Sequence, residues 1–207
     1  MTKGRLRKSC LWASLLVLVT LVAIFAARGV AFAEEEYDVE LQDVMDGNVP
    51  GLSADVTGTG WWYGSCMQVR FKNDTTQTLR VKVPIGLRLA PEDEGVQTMY
   101  TVGDEVITMP PGSSTVKFKA FCGEENDYPP ESGDFFHPQG RADGDLMKTL
   151  QRIHQKKRYD VTGQDAVWSH TDNADISGDK EAQDLAGGSS VPDEKAAADG
   201  NSLLLIG

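Results

Sequence analysis

The chain has 207 residues and a formal net charge of −11, with 40% hydrophobic and 25% charged residues. Five basic residues and no acid precede Glu34, so the 174 residues after Ala33 carry 15 basic and 31 acidic side chains. That balance excludes a nucleic-acid binder, because no basic surface remains to neutralise phosphates. It also opposes adhesion to anionic lipid. The length suits one domain with a small appendage, which can fold without disulfides.

The N-terminus predicts export. Lys3, Arg5, Arg7 and Lys8 form a positive stretch, Leu11 to Ala27 is apolar, and Ala31-Phe32-Ala33 gives the small-x-small pattern of a signal-peptidase site before Glu34. Residues 1–33 therefore read as a signal peptide cleaved after Ala33. The alternative is an uncleaved anchor, since the apolar run approaches spanning length. Either way the body lies outside the cytoplasm, extracellular or in the cell envelope, and touches membrane only if the signal is retained. Cys10 precedes the apolar core, so it is not a lipoprotein cysteine and leaves with the signal. Leu203 to Ile206 is too short to span a bilayer.

The rest divides by pattern. Residues 34–60 are acidic and then Gly-rich, with Val39, Leu41 and Val44 as a possible first strand. Residues 61–125 predict the body. There Met67, Val69 and Phe71 alternate with polar residues, as do Leu79, Val81, Val83 and Ile85, then Leu87 and Leu89, then Val116, Phe118 and Ala120. Met99 to Met109 supplies one or two further strands. Short period-2 runs separated by turns predict an antiparallel β-sandwich-like body. Residues 126–142 read as a loop. Residues 143–207 read as a small C-terminal helical part packing on the body, giving an α+β chain. Leu146, Leu150 and Ile153 share a helix face that Lys156 to Arg158 closes. A second helix follows with Thr162 as its N-cap and Asp165 completing a capping box, and a third starts near Ser190.

Cys66 and Cys122 are the cysteines left after cleavage. In an exported chain a Cys66–Cys122 disulfide is the default, contributing about 4 kcal/mol for so long a loop. Phase opposes it: Cys122 is in register with the inward Val116, Phe118 and Ala120, whereas Cys66 is out of register with Met67, Val69 and Phe71. In the second helix Gln164, Val167 and Trp168 share one face, which predicts a buried Gln164 amide in need of partners. Backbone hydrogen bonds would satisfy it; so would condensation with the Cys122 thiol.

Ala120-Phe121-Cys122-Gly123, followed by Gln164-Asp165-Ala166-Val167-Trp168-Ser169-His170-Thr171-Asp172, resembles the thioester domains of Gram-positive surface adhesins. The resemblance covers two short patches. It implies a β-rich body with a helical part, an internal Cys122–Gln164 thioester that captures amines, and supporting roles for Trp168, Thr171 and Asp172. The chain departs from the family pattern at Gly123 and Gly163, where the family favours hydrophobic residues, or Thr before the glutamine.

Trp61-Trp62-Tyr63 is a dense aromatic cluster, a core plug or a platform for carbohydrate or a protein partner. Asp172 to Asp179 has calcium-like acid density, but Ala174 breaks the EF-hand register, so capping and loop roles are expected. Asn73-Asp74-Thr75 is a glycosylation sequon. No catalytic triad, paired catalytic carboxylates, metal-ligand spacing or phosphate loop appears, so no cofactor and no metal are expected. Two function classes follow: a non-catalytic bacterial interaction module of the cell surface or medium, binding an extracellular protein or carbohydrate, or a covalent thioester module using Cys122 and Gln164.

Overall fold

A computed structural model of the chain describes Tyr37–Gly187. The predicted signal, its cleavage site, the helix expected near Ser190 and Leu203 to Ile206 lie outside the described residues.

Among the described residues, nine strands and four helices follow in chain order: β1 (Val39–Glu40), α1 (Leu41–Met45), β2 (Leu52–Gly58), β3 (Tyr63–Asn73), β4 (Leu79–Val83), β5 (Leu87–Pro91), β6 (Met99–Thr101), β7 (Glu105–Met109), β8 (Gly112–Cys122), β9 (Phe135–Arg141), α2 (Gly144–Lys156), α3 (Val161–Thr171) and α4 (Lys180–Ala186). Six strands close into an antiparallel barrel in the order β2-β3-β8-β6-β5-β9. β1, β4 and β7 form a separate three-stranded sheet, with β1 parallel to β4 and β7 antiparallel to it.

The body is therefore a barrel, and the expected sandwich is corrected. The closing element is β9, which lies inside the stretch expected to be a loop. It pairs with β5 through Leu89↔Pro138 and Ala90↔His137, and with β2 through Val56↔Phe136 and Thr57↔Phe135. β2 in turn comes from the segment placed before the body. Once both edges of the sheet find β9, no second layer is needed to cover them.

The period-2 pattern decides what fills the barrel. Met67, Val69, Phe71, Leu87, Leu89, Phe118, Ala120 and Cys122 are all buried in one core cluster, which also takes Val81, Val83 and Leu41. A second cluster lies between the barrel wall and the helices, with Phe121, Val102, Leu150, Ile153, Ala166, Val167 and Leu185. Phe121 and Cys122 are neighbours in sequence and belong to different clusters. That is the alternation of a strand: Phe121 points out to the helices and Cys122 points into the barrel.

One residue breaks the alternation. β3 and β8 pair at Gly64↔Ala120 and resume at Met67↔Phe118, so Ser65 and Cys66 together face Lys119. The bulge turns Cys66 inward beside Met67, and both are fully buried. The expectation that Cys66 points away from the core is corrected on that ground.

α2 and α3 lie where helices are expected, with a shifted cap in α3, whereas α4 is not announced by the sequence pattern. The first strand expected over Val39, Leu41 and Val44 is corrected: it ends at Glu40, and Leu41 and Val44 are the buried residues of helix α1. α2 runs from Asp143 as N-cap to Lys157, whose left-handed backbone ends it. In α3 the cap is Asp160, whose carboxylate accepts from Gly163 N–H, and not Thr162. α4 starts at Asp179, whose Oδ1 accepts from Glu181 N–H and Ala182 N–H. Asn73 of the sequon is 1% exposed, and its amide donates to the Gln77 and Met109 carbonyls, so the folded chain offers no acceptor nitrogen for a glycan there.

Candidate functional site

The site begins at the end of β8. Cys122 pairs with Met99 of β6, and the ladder bond on that side is made by Gly123 N–H to Thr98 O at 2.7 Å. Within a strand the N–H and C=O of one residue point to the same edge. Those of Cys122 point to the β3 side, where the pairing has just stopped at Tyr63↔Phe121. The side-chain carboxamide of Gln164 takes the vacant place. Cys122 N–H donates to Gln164 Oε1 at 3.0 Å, and Gln164 Nε2 donates to Cys122 O at 2.8 Å. Both residues have zero exposure. A glutamine amide thus imitates one more rung of sheet, and every strong polar group of the pair is satisfied.

Two glycines let the helix come this close. A side chain at Gly163 would overlap the Arg158 carbonyl oxygen and stand 2.9 Å from Phe121 Cζ. A side chain at Gly123 would stand 2.9 Å from Tyr100 Cε2 and 3.1 Å from Thr98 O. The two positions at which the chain departs from the thioester-domain pattern are the two tightest approaches around the pair. Their smallness has a local steric cause.

α3 grips β8 at a second point. The Asp172 carboxylate accepts from Glu125 N–H, so Gln164 holds Cys122 and Asp172 holds the segment just beyond it. Eight residues of helix span roughly 12 Å, and three residues of extended chain span roughly 10 Å, so the two anchor points match. Trp168 packs against the start of β3: its ring stacks on Trp62 at 5.6 Å and 7°. Thr171 only donates back to Val167 O within its own helix, so it has no part in the pair.

The expected supporting residues therefore divide. Trp168 and Asp172 join the site and Thr171 does not. The aromatic cluster joins it through Trp62: Trp62 meets Tyr63 edge-on at 4.6 Å, and Tyr63 meets Trp61 at 6.0 Å. Sequence pattern does not assign Gly163, Asp160 and Met99 to the site: the first lets α3 approach, the second caps it, and the third packs on the Cys122 sulfur. Asp160, three residues before Gly163, carried the signal of an N-cap.

The two sulfurs share the barrel core without being joined. Both cysteines are free. Cys66 Sγ donates to Ala120 O at 3.2 Å, and Cys122 Sγ lies 3.6 Å from Met99 Sδ. The bulge that brings Cys66 inward leaves it opposite Lys119, short of Cys122 along β8, so the staple expected as the default is not formed. Burial pushes the Cys66 thiol up to about 12. Burial, then the nearby Cys66, then Glu124, push the Cys122 thiol up as well. In the unfolded chain both ionise near their ordinary value of 9.0. A raised folded pKa gives stability that is complete below the unfolded value and lost as pH rises toward the folded one. Stability of the free-thiol form should thus decline by about 1.4 kcal/mol per pH unit per thiol above pH ~9. Urea titrations at stepped alkaline pH check this, and Cys66→Ala should flatten the slope by one thiol's share.

The surroundings are acidic. Burial raises the Glu124 carboxyl, which accepts from Thr98 N–H at 2.6 Å. Burial, then Asp179 and Glu125, raise the Asp165 carboxyl next to Gln164. The acid-rich segment after Trp168 serves turns and caps: Asp175 accepts from Ser177 N–H, and Asp179 caps α4. Among the described residues no group of three or more His, Cys, Asp or Glu side chains could hold a metal ion. Comparison with protein-family models, with curated proteins and with solved structures finds no match.

Proposed function

We propose that this protein is an exported bacterial module that captures amines covalently through a thioester between Cys122 and Gln164. The observation that carries the reading is the pairing itself: a fully buried glutamine amide bonded to both main-chain groups of a fully buried cysteine. The two residues are thus already joined through the Cys122 main chain, so condensation needs the Cys122 side chain to turn from Met99 toward the carboxamide rather than an encounter of two free groups. The Cys122 Sγ–Gln164 Cδ bond forms, the Cδ–Nε2 bond breaks, the thiol proton goes to nitrogen and ammonia leaves. Cys122 N–H already donates to the oxygen on which charge would develop during that step. Burial that keeps the thiol protonated also keeps water from the finished thioester. A primary amine then attacks Cδ, the Cδ–Sγ bond breaks, and its proton returns to sulfur.

The leader pattern of residues 1–33 supports export, and the acidic body with its aromatic cluster supports contact with an extracellular partner. Intact mass, measured without reductant, tests the reading. The expected result is a loss of one ammonia, reversed by addition of one methylamine at Gln164. A mass lower by two hydrogens, with no adduct, would show a Cys66–Cys122 disulfide; an unaltered mass would show a hydrogen-bonded clasp. Either would leave a non-covalent interaction module.

A further inference from the structure

The aromatic strip beside the pair has a wet end and a dry end. Trp61 is 54% exposed, and the rings pass inward through Tyr63 and Trp62 to Trp168, one helical turn from Gln164. A core plug would bury its largest ring, and this one does not. The dry end holds a second oddity: the Trp168 indole N–H is buried and has no acceptor. The chain that leaves Cys122 is acidic and crosses the same end of the barrel, held to Thr98 through Glu124 and to Gln97 through Asp127 and Tyr128. Residues 124–134 contain five acids (Glu124, Glu125, Asp127, Glu131 and Asp134) and no base. That segment starts at the cysteine and returns against β2 beside Trp61, where a side chain at Gly58 would meet Glu131 O and one at Gly60 would meet Ser132. Asp179 and Glu125 lie close enough to Asp165 to add to the effect of burial in raising its carboxyl.

We infer that the Trp61–Trp168 strip and the acidic 124–134 segment form one docking surface for a basic, lysine-containing polypeptide, seated there before amine transfer. This deepens the proposed capture reaction and rests on it for the covalent step. Aromatic faces attract ammonium and guanidinium groups. A row of carboxylates draws a cationic chain and repels an acidic one. A neutral glycan could hydrogen-bond to single carboxylates but would gain nothing from their summed charge.

The experiment separates docking from capture. The probe is a short Lys/Ser peptide with every ε-amine dimethylated, which keeps its charge but cannot form a stable amide. Binding to the purified protein is followed by anisotropy of a dye on the peptide. It should weaken as salt rises from about 50 to about 300 mM. Trp61→Ala should weaken it about tenfold, and Trp61→Phe should restore part. Trp61→Ala should leave the methylamine adduct at Gln164 unchanged, because a small amine needs no docking. Equal binding of a lysine-acetylated peptide or a chitin oligosaccharide would overturn the proposal. So would a Trp61→Ala protein that binds as well as the wild type. Loss of the methylamine adduct with Trp61-dependent binding intact would remove the thioester and keep the surface.

Discussion

Gln164→Ala and Cys122→Ala should abolish methylamine addition equally and yet differ widely in stability. Removing the Gln164 side chain strips Cys122 of both main-chain partners at a position with no access to water. Each buried group left unpaired costs about 1–3 kcal/mol, so the free-thiol form of Gln164→Ala should lose about 4 kcal/mol. Cys122→Ala keeps its N–H and C=O and therefore keeps the amide bonded. It forfeits only the sulfur packed against Met99, a loss of about 1 kcal/mol. Urea unfolding of both variants, with methylamine-treated wild type as the reference, reads the difference. Equal destabilisation would mean that the amide bonds contribute little beyond the sulfur. Retained labelling in either variant would remove the thioester reading.

The pair was half legible before the structure. The i, i+3, i+4 spacing of Gln164, Val167 and Trp168 implied a buried amide, and the amide is buried. Backbone bonding was one of the two expectations for it and Cys122 entered through the resemblance, but that the backbone is that of Cys122, forty-two residues away, is not in the spacing. The run of strands was legible wherever one face is buried over several rungs, as in β3, β4 and β8. The barrel was not, because the strand that closes it hides its pattern. Phe135–Arg141 has a single buried residue, Phe136, and carries Pro138, so it shows neither alternation nor a turn-free run. Cys66 fails for a related reason. A one-residue bulge shifts the phase of everything before it, and nothing in Ser65-Cys66-Met67 announces the extra residue. The misplaced cap of α3 has a third cause. Thr162-Gly-Gln-Asp suits the capping-box template, whereas Asp160 caps by a plainer bond to Gly163 N–H.

Gly163→Ala should act in the opposite sense to an ordinary glycine replacement in a helix. Alanine inside a helix gains about 1 kcal/mol over glycine. Here the new methyl group would overlap the Arg158 carbonyl oxygen, which is backbone, and press on Phe121 Cζ at 2.9 Å. Neither neighbour is the loose end of a flexible side chain, because Phe121 is fully buried between the barrel and the helices. The start of α3 must therefore back away from β8. Overpacking of this kind costs about 1–3 kcal/mol, and the retreat also breaks the two bonds between Gln164 and Cys122, which adds about 2 kcal/mol, less than in Gln164→Ala because the opened gap lets water reach the freed groups. The clash outweighs the helix gain, so a net loss of about 3 kcal/mol is expected. The chemistry should suffer more than the fold. The retreat carries the carboxamide away from the cysteine while leaving both reacting residues in the chain, and a misplacement of about 1 Å can slow a positioned reaction roughly a hundredfold. Gly163→Ala should thus stay folded at room temperature, keep both thiols free and show no ammonia loss in its intact mass. If the variant still forms the thioester at the wild-type rate, the closeness of α3 to β8 is not what brings the two groups together. An equivalent change at Gly123 separates the causes. It presses on Tyr100 and Thr98 O from the β6 side, so it should destabilise the barrel end without moving α3.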